Sequence, residues 1–298
     1  MSRIGWLSNF NPFEEGGGAE KNDKGMIEAG IKRGHSINII TPRTPYVDYD
    51  NFDFIIISNC NQFDINSLVN ISQKIPYILF HHDFQFCKYQ LWFTGLEKCK
   101  NCPNKQIWNI LIENAKLNIF LSPYHYQMYS KVFDKDILEP HVEVPSCIKI
   151  EDWQPNPEIK IQQNTCICVN SLYGFKGKDQ VLEYIKKHPE LKFTIVGDNP
   201  DNVQLPENAK YIGRVSNPKL KELFQKSEYL LHLPISGPFE RVLVEYLLCN
   251  PKGKLITNDR VGCLTYDIFT DGKIDRDKLK NLLREAPNLF WKSVENAI

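Results

Sequence analysis

The sequence has no uninterrupted apolar run near the ~20 residues that a membrane-spanning helix needs. Its opening residues, Met1-Ser-Arg-Ile-Gly-Trp-Leu-Ser8, lack the apolar core of a secretory signal and pass straight into strand-like sequence. These absences point to a cytoplasmic location, with any membrane contact peripheral. Net charge is also missing: 36 basic residues balance 36 acidic ones. That removes the electrostatic footprint of a general nucleic-acid binder. No solenoid-type repeat and no low-complexity tract is present.

The nine cysteines are odd in number and scattered, which excludes the disulfide framework of a small secreted domain. Cys60, Cys147, Cys166, Cys168, Cys249 and Cys263 lie in or beside apolar segments and read as small buried hydrophobes. Cys99-Lys-Asn-Cys102 differs, because with Cys87 upstream it offers three thiolates. A closed structural zinc site takes four ligands, and the fourth is not evident in the spacing, His81 and His125 being candidates. The expectation is a reduced loop without metal.

What the chain does have is length and patterning. Its 298 residues, 42% hydrophobic and 24% charged, suffice for two ordinary α/β domains. Ile4–Ser8, Ile37–Thr41, Phe54–Ser58 and Tyr77–Phe80 are short apolar runs, with helical spacing over Ala19–Arg33. Strands apolar on both faces belong to a parallel sheet covered on each side, whose ligands bind outside the carboxyl ends of the strands. Two features fall at such ends. Gly16-Gly17-Gly18 sits in the first strand-to-helix turn, although it is not the dinucleotide fingerprint. It reads equally as a close approach to a phosphate or sugar and as a flexible turn. His81-His82-Asp83 follows the fourth strand, and Asp83 beside His82 would fix the imidazole tautomer or favour its cation.

The prolines and polar residues of Trp153-Gln-Pro-Asn-Pro-Glu158 mark a boundary. The expected organisation is a first domain over 1–152, a second over 153–285, and a terminal helix over 286–298 that packs back on the first. The second domain repeats the βα order through Thr165–Asn170, Phe193–Asp198 and Tyr229–Leu233. Lys176 and Lys178 occupy one strand-to-helix loop, where a diphosphate needs cations and N–H donors; as surface lysines they would only be solvated. The stretch Leu233–Leu248 reads as a strand end, a loop and a helix starting near Phe239, followed by a strand at Lys254–Asn258. Such a helix N-terminus can hold an anion. Glu245, on the helix's second turn, is placed to accept hydrogen bonds from sugar hydroxyls.

Taken in order, these segments resemble the GT-B glycosyltransferases, and among them the family-4 group. Gly16-Gly-Gly-Ala-Glu20 is similar to that group's first glycine loop, and Pro76–Phe84 to its "PVVLTLHDY" segment, which aligns His82 with a histidine beside the transferred sugar. Val144-Pro-Ser-Cys-Ile148 resembles "IPNGV", Phe193–Pro200 "LLIVGDGP" and Tyr211-Ile-Gly-Arg-Val215 "FLGRV". Two departures stand out. Ser171 occupies the arginine position of the phosphate loop "GRLxxxKG", of which Lys176-Gly177 remain. In "EPFGxxxxE" the second glutamate is Glu245, while Gly237 replaces the first, and Glu240 and Arg241 replace a glycine and an aliphatic residue.

The resemblance implies two Rossmann-like doubly wound domains facing a cleft. It further implies transfer of a sugar from a UDP- or GDP-linked donor to a glycan or lipid-linked acceptor, with retention of configuration and without an obligatory metal or other cofactor. The catalytic candidates are His82, Asp83 and Glu240. The donor-binding candidates are Gly17, Gly18, Lys176, Gly197, Gly213, Arg214, Phe239, Arg241 and Glu245. Arg241 would take over the charge lost at Ser171. Glu240 would turn either toward the sugar or toward Arg241. Rival readings are a nucleotide-sugar-binding scaffold without chemistry, and a nucleotide-sugar epimerase of the same shape.

Overall fold

The computed structural model describes residues 1–14, 16–87, 99, 102–271 and 273–298. The chain divides into two units: Met1–Ile148 with Lys278–Ile298, and Lys149–Asp277.

The first unit is built on six parallel strands: β1 (Arg3–Leu7), β2 (Ser36–Ile40), β3 (Phe54–Ile57), β4 (Tyr77–Phe80), β5 (Leu117–Phe120) and β6 (His141–Glu143). Their order is β2-β1-β3-β4-β5-β6. β3, β4 and β5 are buried at every residue, the signature of a sheet with helices on both faces. The connections include helices α1 (Gly18–Lys32), α2 (Ile65–Ser72), α3 (Pro103–Glu113) and α4 (Pro123–Ser130). Pro at the first turn of α3 and α4 suits a position whose N–H has no intrahelical partner, and Ser122 caps α4 by accepting from His125 N–H.

The second unit carries five parallel strands: β7 (Gln162–Val169), β8 (Lys192–Val196), β9 (Ala209–Gly213), β10 (Ser227–His232) and β11 (Lys254–Thr257). The order β11-β10-β7-β8-β9 reverses direction at β7, so the crevice between β7 and β10 is the topological switch point where such sheets bind ligands. Helices α5 (Lys178–Lys187), α6 (Asn217–Lys226) and α7 (Arg241–Cys249) connect the strands, and a small antiparallel pair, β12 (Phe269–Thr270) with β13 (Lys273–Ile274), follows.

The last helix, α8 (Arg276–Ala297), is longer than its apolar end suggests and moves the boundary from 285 to 277. Its buried stripe starts at Leu279 and continues through Leu283, Ala286, Phe290 and Val294, so the segment from Leu289 is only its final part. Phe290 packs on Phe80 (4.9 Å) and Trp6 (5.9 Å), Trp291 Nε1 donates to Met26 O (2.8 Å), and Arg33 pairs with Glu295 through both guanidinium arms. Among the described residues no helix is long and apolar enough to cross a membrane.

Candidate functional site

At the switch point of the second unit the chain leaves β7 through Asn170 and Ser171, makes a single 3-10 turn at Gly174–Lys176, and enters α5 through Gly177. Gly177 has φ +78, and a Cβ there would stand 1.8 Å from the carbonyl oxygen of Leu233 at the exit of β10. Only glycine lets the two loops touch. That contact carries Lys176 to the far loop, where its Nζ lies 2.7 Å from Glu240 Oε1.

Glu240 is the hinge of the cluster. It precedes α7 in the left-handed region (φ +64, ψ +71), which a residue with a side chain adopts only when its surroundings hold it there. Its carboxylate is buried, with one oxygen on Lys176 and the other 2.5 Å from His232 Nε2 at the last residue of β10. Burial alone pushes the carboxyl up. The charges of Lys176 and His232, with their hydrogen bonds, outweigh this and hold it well below the usual carboxylate range. Arg241, the first residue of α7, pairs with Glu245 one turn on, at 3.5 Å. The helix thus begins at Arg241, two residues after Phe239, because Glu240 breaks the helical dihedrals. Glu240 thus pairs with Lys176 and His232, and Arg241 with Glu245. Phe239 is buried, and its carbonyl accepts from Cys263 N–H.

Gly197 (φ +109) follows β8 and Gly213 (φ +72) ends β9, and a bond of 2.9 Å runs from Gly197 N–H to Gly213 O. Arg214, which follows β9, grips Asp198 with two nitrogens at 2.5 and 2.6 Å. Together with the Tyr173 hydroxyl it lowers the Asp198 carboxyl to about 2.

In the first unit, Gly17 precedes α1 and Gly18 is its first residue. The Glu20 carboxylate folds back over Gly17, with Oε2 2.0 Å from where a Cβ would stand, so the chain's own anion occupies this helix start. His82 is buried and paired with a carboxylate, but the partner is Asp23 of α1 (2.8 Å), not the neighbouring Asp83. Asp83 offers its main-chain oxygen to His125 Nε2 (3.2 Å) and the Tyr129 hydroxyl (3.1 Å). α1 lies across the ends of β1, β3 and β4, which brings Asp23 to His82. His81 is a core residue, stacked on Phe120 and lowered to about 3 by burial, with a hydrogen bond to Asn118 opposing.

Cys87, Cys99 and Cys102 do interact: burial, then the neighbouring Cys87 and Cys102 thiols, push Cys99 up to about 11. His81 and His125 are engaged elsewhere, and among the described residues no group of three His, Cys, Asp or Glu side chains is arranged to hold a metal ion. A cavity of about 870 Å³ lies at the opposite, amino end of β7, β10 and β11, lined among others by Ile161, Gln225, Glu228 and Lys254. It shares no residue with the Glu240 cluster.

Two residues of these constellations escape sequence reading. Asp23 lies on the same face of α1 as Met26, Ile27 and Gly30, and a carboxylate in a buried stripe was the available signal. His232 ends the apolar run Tyr229-Leu-Leu, where a histidine at a strand exit carries the same information as His82.

The two parallel, doubly wound sheets define a chain of GT-B fold. Residues 149–253, most of the second unit, match the family described as Glycosyl transferases group 1. Among solved structures, sucrose-phosphate synthase from Thermosynechococcus elongatus is 14% identical with a TM-score of 0.75, over 99% of this chain and 98% of that one. Anabaena HepE, solved in complex with UDP and glucose, is 13% identical with a TM-score of 0.65, over 96% and 90%. Among curated proteins, the phosphatidylinositol N-acetylglucosaminyltransferase GPI3 subunit of Saccharomyces cerevisiae is 24% identical over 139 residues, 40% of this chain. The match spans 30% of that relative's length.

Proposed function

We propose that the protein transfers a hexosyl group from a UDP- or GDP-linked donor to an acceptor hydroxyl on a glycan or lipid-linked precursor. The observation that carries this reading is the convergence of Lys176, Glu240, Arg241 and Glu245 at the switch point of a unit that matches a glycosyltransferase family. As the glycosidic C–O bond breaks, its electron pair passes to the diphosphate oxygen, and cations preorganised at that oxygen stabilise the charge. Lys176 and Arg241 supply them, with Arg241 offering the planar paired donors that Ser171 lacks. Glu245 accepts hydrogen bonds from the donor ribose, and Glu240 takes the sugar-facing place of the absent side chain at Gly237. Bond formation to the acceptor oxygen is proposed to proceed with retention, the acceptor proton passing to the departing diphosphate without an obligatory metal or cofactor. A lipid-linked acceptor would bring a cytoplasmic protein to the membrane surface.

A second reading rests on Ser171, whose buried hydroxyl has no hydrogen-bond partner among the described residues, where the family carries arginine. It holds the protein to be a nucleotide-sugar-binding scaffold. Incubation with a panel of UDP-, GDP- and dTDP-sugars separates the readings. Slow release of the diphosphate marks a transferase, and isomerised sugar an epimerase. Tight nucleotide binding without turnover marks the scaffold.

A further inference from the structure

Asp23 is completely buried, yet its carboxylate collects three polar partners from three different strand exits. Ser8, after β1, reaches it at 3.1 Å; Ser58, after β3, at 2.6 Å; His82, after β4, through Nε2 at 2.8 Å. These strands are adjacent in the order β1-β3-β4, so α1 lowers one carboxylate onto the carboxyl ends of three neighbours. An ionised carboxylate only accepts, so the protons lie on the two hydroxyls and on Nε2. Two serine donors hold the carboxylate in place, and the carboxylate fixes the ring. Phe80 packs against the imidazole at 4.5 Å, which restricts its swing. With the hydrogen of the ring on Nε2, the nitrogen left to accept is Nδ1. A buried carboxylate that served only packing would have no need of an imidazole at the ligand-binding end of a parallel sheet.

We infer that Asp23 is a positioning residue for His82, holding the ring with Nδ1 as the acceptor for a hydroxyl of the sugar substrate; this rests on the transferase reading above. The arrangement follows the logic by which a second carboxylate sets tautomer and orientation of a working histidine.

Nitrogen NMR of the full-length protein with 15N-labelled histidine, His82 being assigned by comparison with His82→Gln, reads the tautomer without any substrate. The expected result is a protonated Nε2 and a bare Nδ1. In Asp23→Asn the His82 nitrogen signals shift, and transfer to the acceptor falls about 10- to 100-fold while binding of UDP or GDP is unchanged. A purely structural Asp23 would lower the melting temperature without separating transfer from nucleotide binding. If Asp23→Asn does not fold, Ser58→Ala keeps the carboxylate but removes its nearest hydroxyl, and a smaller loss in the same direction is expected. Protonation of Nδ1 in the wild type, or an unchanged transfer rate in the variant that folds, overturns the inference. Failure of the wild type to bind or turn over any nucleotide sugar overturns the transferase reading instead, and the tautomer still decides whether Asp23 sets the ring.

Discussion

The carboxylate of Glu240 occupies the space that a side chain on Gly237 would fill: a Cβ at 237 would lie 2.4 Å from Glu240 Cγ and 2.6 Å from Oε1. The two positions are therefore coupled. The Glu240 side chain bends back into the space that glycine leaves open at 237.

This coupling predicts non-additive stability. Gly237→Ala alone is expected to destabilise by about 1–3 kcal/mol, the cost of overpacking a filled site. In a Glu240→Ala background the same substitution should be nearly neutral. Urea unfolding of the four proteins forms the double-mutant cycle, and additive effects would contradict the shared space.

Glu240→Gln removes the charge that Lys176 and His232 face. The loss should be on the order of 2 kcal/mol at pH 7, below the ~3–5 of a fully buried pair because Lys176 is partly exposed. Since the folded carboxyl is held below its ordinary value of 4.5, its contribution is complete above that pH and shrinks as pH falls. The gap between wild type and variant should therefore narrow from pH 4.5 downward. A gap that is the same at pH 7 and pH 3 would contradict the ion pairing.

Gly177→Ala should be severe. The added Cβ meets the backbone oxygen of Leu233 at 1.8 Å, and the backbone has φ +78, so neither a side-chain rotation nor a small shift relieves it. A fall in stability of about 2 kcal/mol or more is expected, with weakened nucleoside diphosphate binding because Lys176 precedes it. Thermal melts and calorimetric titration with UDP and GDP check both parts.

His81 makes the fold acid-sensitive. Burial lowers it to about 3, so between its ordinary 6.5 and that value the unfolded chain binds a proton that the folded chain refuses. Stability should fall across this window by up to about 1.4 kcal/mol per pH unit. His81→Phe, which keeps the ring stacked on Phe120, should show a shallower slope even though Asn118 Oδ1 loses its hydrogen bond to His81. An equal slope would place the acid sensitivity elsewhere.

The architecture was legible because parallel strands buried on both faces leave plain apolar runs, as in Phe54–Ile57 and Tyr77–Phe80. The long terminal helix was only half legible: its polar first turns hide a stripe that starts at Leu279. The loop cluster around Lys176 and Arg241 could be assembled from strand-exit positions. Its pairing could not, because Glu240 meets Lys176 across 64 residues and His232 across a loop. Asp23 was missed for the same reason. It looks like one more charge on an amphipathic helix until three strand ends are folded beneath it.

The central claim is that the loop cluster of the second unit grips a sugar nucleotide by its diphosphate. Calorimetric titration of wild type and Arg241→Met with UDP, GDP and dTDP tests it most directly. The account predicts binding of at least one diphosphate by the wild type and a loss of about tenfold, or ~1.4 kcal/mol, in the variant. No binding to the wild type, or equal affinity in the two proteins, would contradict it.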